Sequence, residues 1–473
     1  MTPAFRLRRG ALILVVLLFF RASYGFAQQP LAAETRLGWW QDAKFGMFLH
    51  WGLYSVAGGD WKGKRYKGNE HFMLYERIPL KEYATLAAGL NPVRYDAEQW
   101  VRAAKDAGMK YIVITAKHHE GFAMFNSPSN DYNIVKRTPY GQDPMVPLAA
   151  ACRKHGLKLC FYYSLGRDWE DPDVPTNWPV KAGRSNSWDY PNEDAKDLAR
   201  YIERKVKPQL RELLTQYGPV GVIWFDTPEL ITAAQSRELR EFVLSLQPNC
   251  LINSRVGNGL GDFEVSEQKL VAEVAAKPWE SSITMSKGWG YNRHDTAYKS
   301  PELLVRNLVQ VVSKGGNFLL NIGPTSAGEL PAPSLQNLAA VGRWMRRNQE
   351  AIYGTSPLAS ADQPEAVAES APPAAANTMK DALNDVTSKA ITPDFRYTTK
   401  NGKTYLFARS WPPPLITVPA YAGRPIRRVR LLGDAKKLKW KLENGNLLLP
   451  IPADFAGEIP VYVFELEHQR AGR

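Results

Sequence analysis

Three times in the first half of the chain an amphipathic helical pattern runs into a glycine and then into a short, unbroken apolar run. In "DAEQWVRAAKDAGMKYIVITAKHHEG", Trp100, Ala104 and Ala107 fall on one helical face. Asp96 and Gln99 have capping-box spacing, Gly108 can take the left-handed terminal position, and "YIVIT" follows as a buried strand. The second unit is "LAAACRKHGLKLCFYYS", stopped by Gly156. The third places Val206, Leu210, Leu213, Leu214 and Tyr217 on one face, before Gly218 and "VGVIWF". Helix alternating with apolar strand predicts a parallel sheet with helices outside it. "FGMFLHWG", "CLINSR" and "GNFLLNIG" add three more strands. Six strands over roughly 290 residues match the size of a (β/α)8 barrel. Two strands escape the pattern, so the fold expected is α/β, an irregular (β/α)8 TIM-like barrel.

From about residue 356 the texture changes. "ASADQPEAVAESAPPAAANTMKDALNDVTSKA" is rich in Ala, Pro and small polar residues and reads as a linker or insertion. Short alternating runs follow: "TYLFAR", "LITVPA", "RRVRLL", "LKWKLENGNLLLPI" and "VYVFELE", with "ENGN" as a hairpin signal. They predict a small C-terminal β-sandwich. The division expected is a barrel over 30–355, a linker over 356–391 and a sandwich over 392–470.

Residues 1–27 carry Arg6, Arg8 and Arg9, an apolar stretch from Ala11 to Phe20, and the small residues Gly25 and Ala27. About ten apolar residues are short for a bilayer, which favours a secretory signal peptide over an uncleaved anchor. The chain is then exported, to the periplasm or the extracellular space, with no stable membrane span after cleavage. Subtracting the leader's four Arg from the formal charge of +13 leaves about +9. That excess is dispersed and forms no basic block, so it does not point to nucleic acid. Cys152, Cys160 and Cys250 sit in apolar or helical surroundings and are expected as buried thiols.

Chemistry in a barrel sits at the C-terminal ends of its strands. Those ends read His50, then Lys117-His118-His119-Glu120, Tyr163, Asp226 and Arg255. Asp226 alone could be a helix cap. Five polar termini on one side of one sheet, with His, Tyr and Arg among them, are harder to explain by caps. Neither a zinc signature, a phosphate loop nor a nucleophile elbow is present. A carboxylate nucleophile in a polar, aromatic-lined pocket describes a glycosidase.

"FGMFLHWGLYSV", "YIVITAKHHEGFAMF", "FYYSLGRDW", "VIWFDTP", "INSRVGNGLGDFEVSE", "PWESSITMSKGWGYN" and "KGGNFLLNIGPTSAGEL" resemble, in that order, the α-L-fucosidases of glycoside hydrolase family 29. The resemblance covers about residues 36–355. It implies a barrel followed by a β-sandwich, and a retaining mechanism without metal or cofactor. It implies that Asp226 is the nucleophile, and that His50, Glu70, His118, His119, Tyr163, Trp224 and Arg255 bind fucose. Trp289 corresponds to the aromatic near the C6 methyl. Glu267 matches the acid/base position of several members, with Glu280 and Glu264 as rivals. His71 stands where the family usually has Trp.

The function expected is an exported α-L-fucosidase acting on fucosylated oligosaccharides or glycoconjugates. A catalytically silent fucose-binding protein and a retaining glycosidase for another sugar are the competing readings. A homo-oligomer is left open by the sequence.

Overall fold

The computed structural model describes residues 33–66, 69–175, 186–270, 274–359, 394–409, 414–419, 421, 423–455 and 459–469. The expected signal peptide (1–27) and most of the Ala/Pro-rich segment lie outside them. No helix among the described residues is long and apolar enough to cross a membrane.

Eight parallel strands form one curled sheet: β1 (Phe45–Leu49), β2 (Tyr111–Lys117), β3 (Lys158–Ser164), β4 (Val220–Asp226), β5 (Leu251–Ile252), β6 (Glu264–Glu267), β7 (Trp279–Thr284) and β8 (Asn317–Ile322). Their spatial order is β5-β4-β3-β2-β1-β8-β7-β6. The two ends meet at a parallel bridge between Asn253 and Phe263, so β5 and β6 close the ring.

Helix α1 (Ala33–Ala43) precedes the barrel. The outer helices are α2 (Ala97–Asp106), α3 (Met145–His155), α4 (Lys207–Gln216), α5 (Ala233–Leu246), α6 (Pro301–Ser313) and α7 (Ala332–Asn348). The crossovers from β5 to β6 and from β6 to β7 hold no α-helix among the described residues, which is where the barrel is irregular. Ion pairs brace that seam. The buried Asp262 carboxylate accepts from Arg36 of α1, from Arg240 of α5 and from the Ile252 N–H.

Strand side chains alternate between two cores, as the period of two demands. Phe48, Val113, Cys160, Tyr162, Val222, Trp224 and Leu319 share the barrel interior with Trp40 of α1. Their neighbours Met47, Ile112, Phe161, Tyr163, Ile223 and Leu320 face the helices in the larger core. The expected helix terminators are in place. Asp96 caps α2 by accepting from the Gln99 N–H, and Gly156 ends α3 in the left-handed conformation. All three cysteines are buried and unbridged.

The C-terminal strands are β9 (Asp394–Lys400), β10 (Lys403–Arg409), β11 (Leu415–Val418), β12 (Ile426–Leu431), β13 (Lys441–Glu443), β14 (Asn446–Pro450) and β15 (Val461–His468). They form two antiparallel sheets, residues 356–357 with β9-β10-β15-β12, and β11-β14-β13. Leu406, Ile416, Val429, Leu447 and Phe464 fill the space between them, which makes the expected sandwich. Asn444 and Gly445, both at positive φ, make the "ENGN" hairpin turn. The far face of the larger sheet packs on the barrel, where the α7 indole of Trp344 donates to the Val461 carbonyl at 2.9 Å.

Candidate active site

The C-terminal ends of the barrel strands surround a cleft of about 650 Å³. At its floor stands Asp226, the last residue of β4. It does not cap the following helix: Thr232 does, in a reciprocal capping box with Gln235. The Asp226 carboxylate is instead held by donors from three directions. Oδ1 accepts from the Thr227 N–H at 2.8 Å and from Arg255 Nη1 at 2.5 Å, and Oδ2 accepts from the Tyr162 hydroxyl at 2.7 Å. Burial pushes its pKa up. The charge of Arg255, the hydrogen bonds from Tyr162 and Arg255, and the charge of Arg167 outweigh burial and hold the carboxyl below its usual value.

Arg255, in the turn after β5, stacks 5.0 Å from the Trp224 ring, and its second arm reaches Glu267 at the end of β6. Glu267 is the more exposed of the two carboxylates, 40% against 13% for Asp226. Both line the cleft, with His50, His118, His119, Trp224, Arg255 and Trp289, as the sequence places them.

Four of the expected residues, Tyr163, Glu280, Glu264 and Glu70, do not line the cleft. Tyr163 points into the helix-facing core, where its hydroxyl donates to Gln209 Oε1 at 2.7 Å; the tyrosine facing the cleft is Tyr162. Strand alternation is the reason, since Tyr162 pairs in register with Trp224 and shares its inward face. Glu280 is buried at the start of β7, beneath the cleft. It accepts from Trp224 Nε1 at 2.9 Å and Tyr111 at 2.5 Å, and burial pushes its pKa up to about 7. It orients the indole and does not line the cleft. Glu264 is half exposed, beside Lys277 at 3.4 Å, and lies outside the cleft.

Glu70 sits one layer behind the surface. Its Oε2 accepts from the Gly290 N–H at 3.0 Å and its Oε1 lies 3.0 Å from His71 Nδ1, so the ring that lines the cleft is His71. Burial raises the Glu70 carboxyl, but the His71 hydrogen bond and charge and the Gly290 N–H prevail and bring it to about 2.

The histidines are fixed by partners that reveal their tautomers. Asn321 on β8 donates its amide N–H to the Trp289 carbonyl at 2.8 Å, so its oxygen must accept from His50 Nδ1 at 2.7 Å. The Ser164 hydroxyl donates to the Arg167 carbonyl at 2.7 Å and so accepts from His119 Nδ1 at 2.6 Å. The Nε2 lone pairs of His50 and His119 remain for the cleft, and His119 Nε2 stands 3.7 Å from Asp226 Oδ2. Burial drives all three imidazoles of His50, His118 and His119 toward the neutral form, His50 and His118 to about 3.

Residues missed at the sequence level are Tyr162, Arg167, Ser164 and Asn321. Asn321 carries the same signal as the others, a polar residue at the end of an apolar strand. Arg167 pairs with Glu229 at 3.0 Å in the cleft wall. Behind them, Lys205, buried in the π-helical turn Ile202–Val206, reaches Asp168 at 2.8 Å and Glu170 at 2.6 Å. This ties down the loop in which the Trp169 N–H donates to the His119 carbonyl at 2.7 Å. Among the described residues, no group of three or more His, Cys, Asp or Glu is arranged to hold a metal ion.

The sequence profile of the α-L-fucosidase family matches residues 17–350. An α-L-fucosidase of Branchiostoma floridae is 29% identical, over 95% of this chain and 97% of its own. The structure of α-L-fucosidase isoenzyme 1 from Paenibacillus thiaminolyticus superimposes with a TM-score of 0.78 at 35% identity, covering 93% of this chain and all of that one. An α-L-fucosidase from Lactobacillus casei, in complex with its α-L-fucose product, gives 0.63 at 37% identity over 67% of this chain and 99% of its own. With its barrel, its sandwich and its cleft of inward-facing histidines around Asp226, the chain belongs to the α-L-fucosidase family of glycoside hydrolases.

Proposed function

We propose that this enzyme is exported and removes terminal α-linked L-fucose from glycans by a retaining double displacement, with Asp226 as nucleophile and Glu267 as acid/base. The single observation that carries the reading is that Arg255 grips Asp226 and Glu267 with its two arms, so two carboxylates of different exposure flank one spot in the cleft. Asp226 Oδ2, with one hydrogen bond against two on Oδ1, is the freer oxygen. It attacks C1; the C1–O bond to the aglycone breaks as Glu267 delivers its proton to the leaving oxygen. Glu267 then takes a proton from water, whose oxygen attacks C1 and releases Asp226.

The rest of the cleft suits a 6-deoxy sugar. The Nε2 lone pairs of His50 and His119 accept from hydroxyls, and Phe48 and Trp289, 6.0 Å apart, give an apolar surface for the methyl group. Export rests on the basic and apolar pattern of residues 1–27.

The test is release of nitrophenol from 4-nitrophenyl α-L-fucoside by wild type and Asp226→Gly, with and without azide, with the anomer of the first-formed product read by proton NMR. Wild type should give α-fucose first. The variant should lose about 10³-fold or more and recover with azide as a β-fucosyl azide. A variant that keeps most of its activity rules Asp226 out as nucleophile.

A further inference from the structure

Behind His118, on the side away from the cleft, lies a carboxyl that the mechanism above does not use. Glu120 is fully buried, and Oε2 stands 3.3 Å from His118 Nδ1. Neither carboxylate oxygen, nor His118 Nδ1, makes a hydrogen bond of ordinary geometry with any described residue. The space is made by Gly52, where a Cβ would sit 2.5 Å from Glu120 Oε1. A buried, ionised carboxylate without a full hydrogen bond is among the most costly arrangements in a folded protein, and the usual escape is to keep the proton.

The other cleft histidines give this contact its meaning. His50 Nδ1 meets the Asn321 oxygen, His71 Nδ1 meets the Glu70 carboxylate, and His119 Nδ1 meets the Ser164 oxygen. Each partner accepts, so each Nδ1 carries the proton. His118 is the exception if its partner donates.

We infer that Glu120 is a positioning residue that holds its proton and donates it in a hydrogen bond to His118 Nδ1, so that His118 alone of His50, His118 and His119 presents an Nε2–H donor to the cleft. Of these three rings, two then present an acceptor to the sugar and one a donor, a pattern that distinguishes the hydroxyl that must accept from those that must donate. The inference rests on the reading of His118 as a sugar-binding residue.

The surroundings of Glu120 agree. Burial is the largest influence and raises its pKa to about 8. The nearby Asp168 raises it further, while Lys117 and the N–H groups of Glu120 and Leu53, in poor hydrogen-bonding geometry, oppose it. Tyr54, Tyr83 and Tyr132 lie within electrostatic reach of Glu120, and all three are themselves held neutral by burial. On the other side, His118 faces His71, Glu70, Asp226 and Arg167. The donor should therefore persist at neutral pH and be lost as pH rises through about 8.

The experiment is long-range ¹H–¹⁵N correlation NMR on the full chain labelled with ¹⁵N-histidine, in which seven histidines report. His118→Gln assigns the signal. The expected result is an Nε2–H tautomer for His118 and Nδ1–H for His50 and His119. Glu120→Gln, whose amide N–H can donate in the same place, should keep that tautomer and lose at most about threefold in fucose affinity, whereas Glu120→Met should lose about tenfold, in KM more than in kcat. KM of the wild type should rise above about pH 8, and that of Glu120→Gln should not. A proton on His118 Nδ1, or Gln as damaging as Met, overturns the inference. If fucose leaves the His118 signals unmoved, the sugar-binding reading fails instead, while the tautomer is still read from the free enzyme.

Discussion

Arg255 Nη1 donates to Asp226 Oδ1 at 2.5 Å, and the same guanidinium reaches Glu267 with its other arm. The two carboxylates are not equivalent: one is enclosed by donors at the floor, the other stands half in solvent. One planar cation with two separate arms keeps the first ionised while reaching the second.

Arg255→Lys removes the fork and leaves a point charge. We expect kcat/KM to fall by about 10²-fold or more and the acid limb of its pH profile to move to higher pH. The sign follows from Asp226. Its carboxyl is held below the usual value by Arg255 against burial, so weakening that hold raises the pKa, and a higher pH is needed to ionise it. An unmoved acid limb would show that Arg255 does not tune Asp226.

Tyr162 and Tyr163 are adjacent in sequence and opposite in role. Tyr162→Phe removes a hydrogen bond to the Asp226 carboxylate, worth about 1.5–3 kcal/mol, and should lower kcat by about 10- to 100-fold. Tyr163→Phe removes the bond to Gln209 in the helix-facing core and should cost about 1 kcal/mol of folding free energy with kcat within twofold. Urea unfolding and steady-state kinetics on both variants check this. The reverse pattern would mean that the faces of β3 are exchanged.

Acid should destabilise the fold well before ordinary carboxylates protonate. His50 and His118 are kept neutral by burial, each with its pKa lowered from 6.5 to about 3. The unfolded chain therefore binds more protons below pH 6.5. Stability is full above that value and falls as pH drops toward 3, by up to about 1.4 kcal/mol per pH unit for each ring. Chemical denaturation at pH 7, 6, 5 and 4 measures the slope, and His50→Asn should flatten it by about one such increment. Equal slopes in the two proteins would place the acid sensitivity elsewhere.

Six of the eight barrel strands and the residue types of the cleft were legible because burial on both faces makes parallel strands continuous apolar runs. β6 and β7 carry no such signal: "EVSE" is only partly buried, and "WESSIT" holds Glu280, Ser281 and Ser282, buried yet polar. No α-helix separates β5, β6 and β7 among the described residues, so the helix–strand alternation that exposed the others is missing there. At the site, the strand end located the tyrosine pair but not which member faces inward. That depends on register with Trp224, a relation between strands distant in sequence. Glu280 shows the converse case, a glutamate beside a motif tryptophan that turns out to support Trp224 from below.

The seam at β5 and β6, without an α-helix among the described residues, makes a last prediction about the barrel itself. Asp262 has a side chain only 1% exposed, and it compensates Arg36, 3% exposed, at 2.7 Å and Arg240 at 2.7 Å. Its Oδ2 also accepts from the Ile252 N–H of β5, and the β5 end leads directly into the turn that carries Arg255. Asp262→Ala leaves Arg36 buried without its counter-charge and should cost about 3–5 kcal/mol. If charge compensation is the reason, the double variant Arg36→Met, Asp262→Leu should recover much of that loss, because apolar groups of similar size need no partner. Turnover should fall in the single variant even where it is folded, since Arg255 loses its rigid mount, and calorimetry alongside kinetics separates the two effects. A single variant within about 1 kcal/mol of wild type would mean that the Asn253–Phe263 bridge closes the barrel unaided.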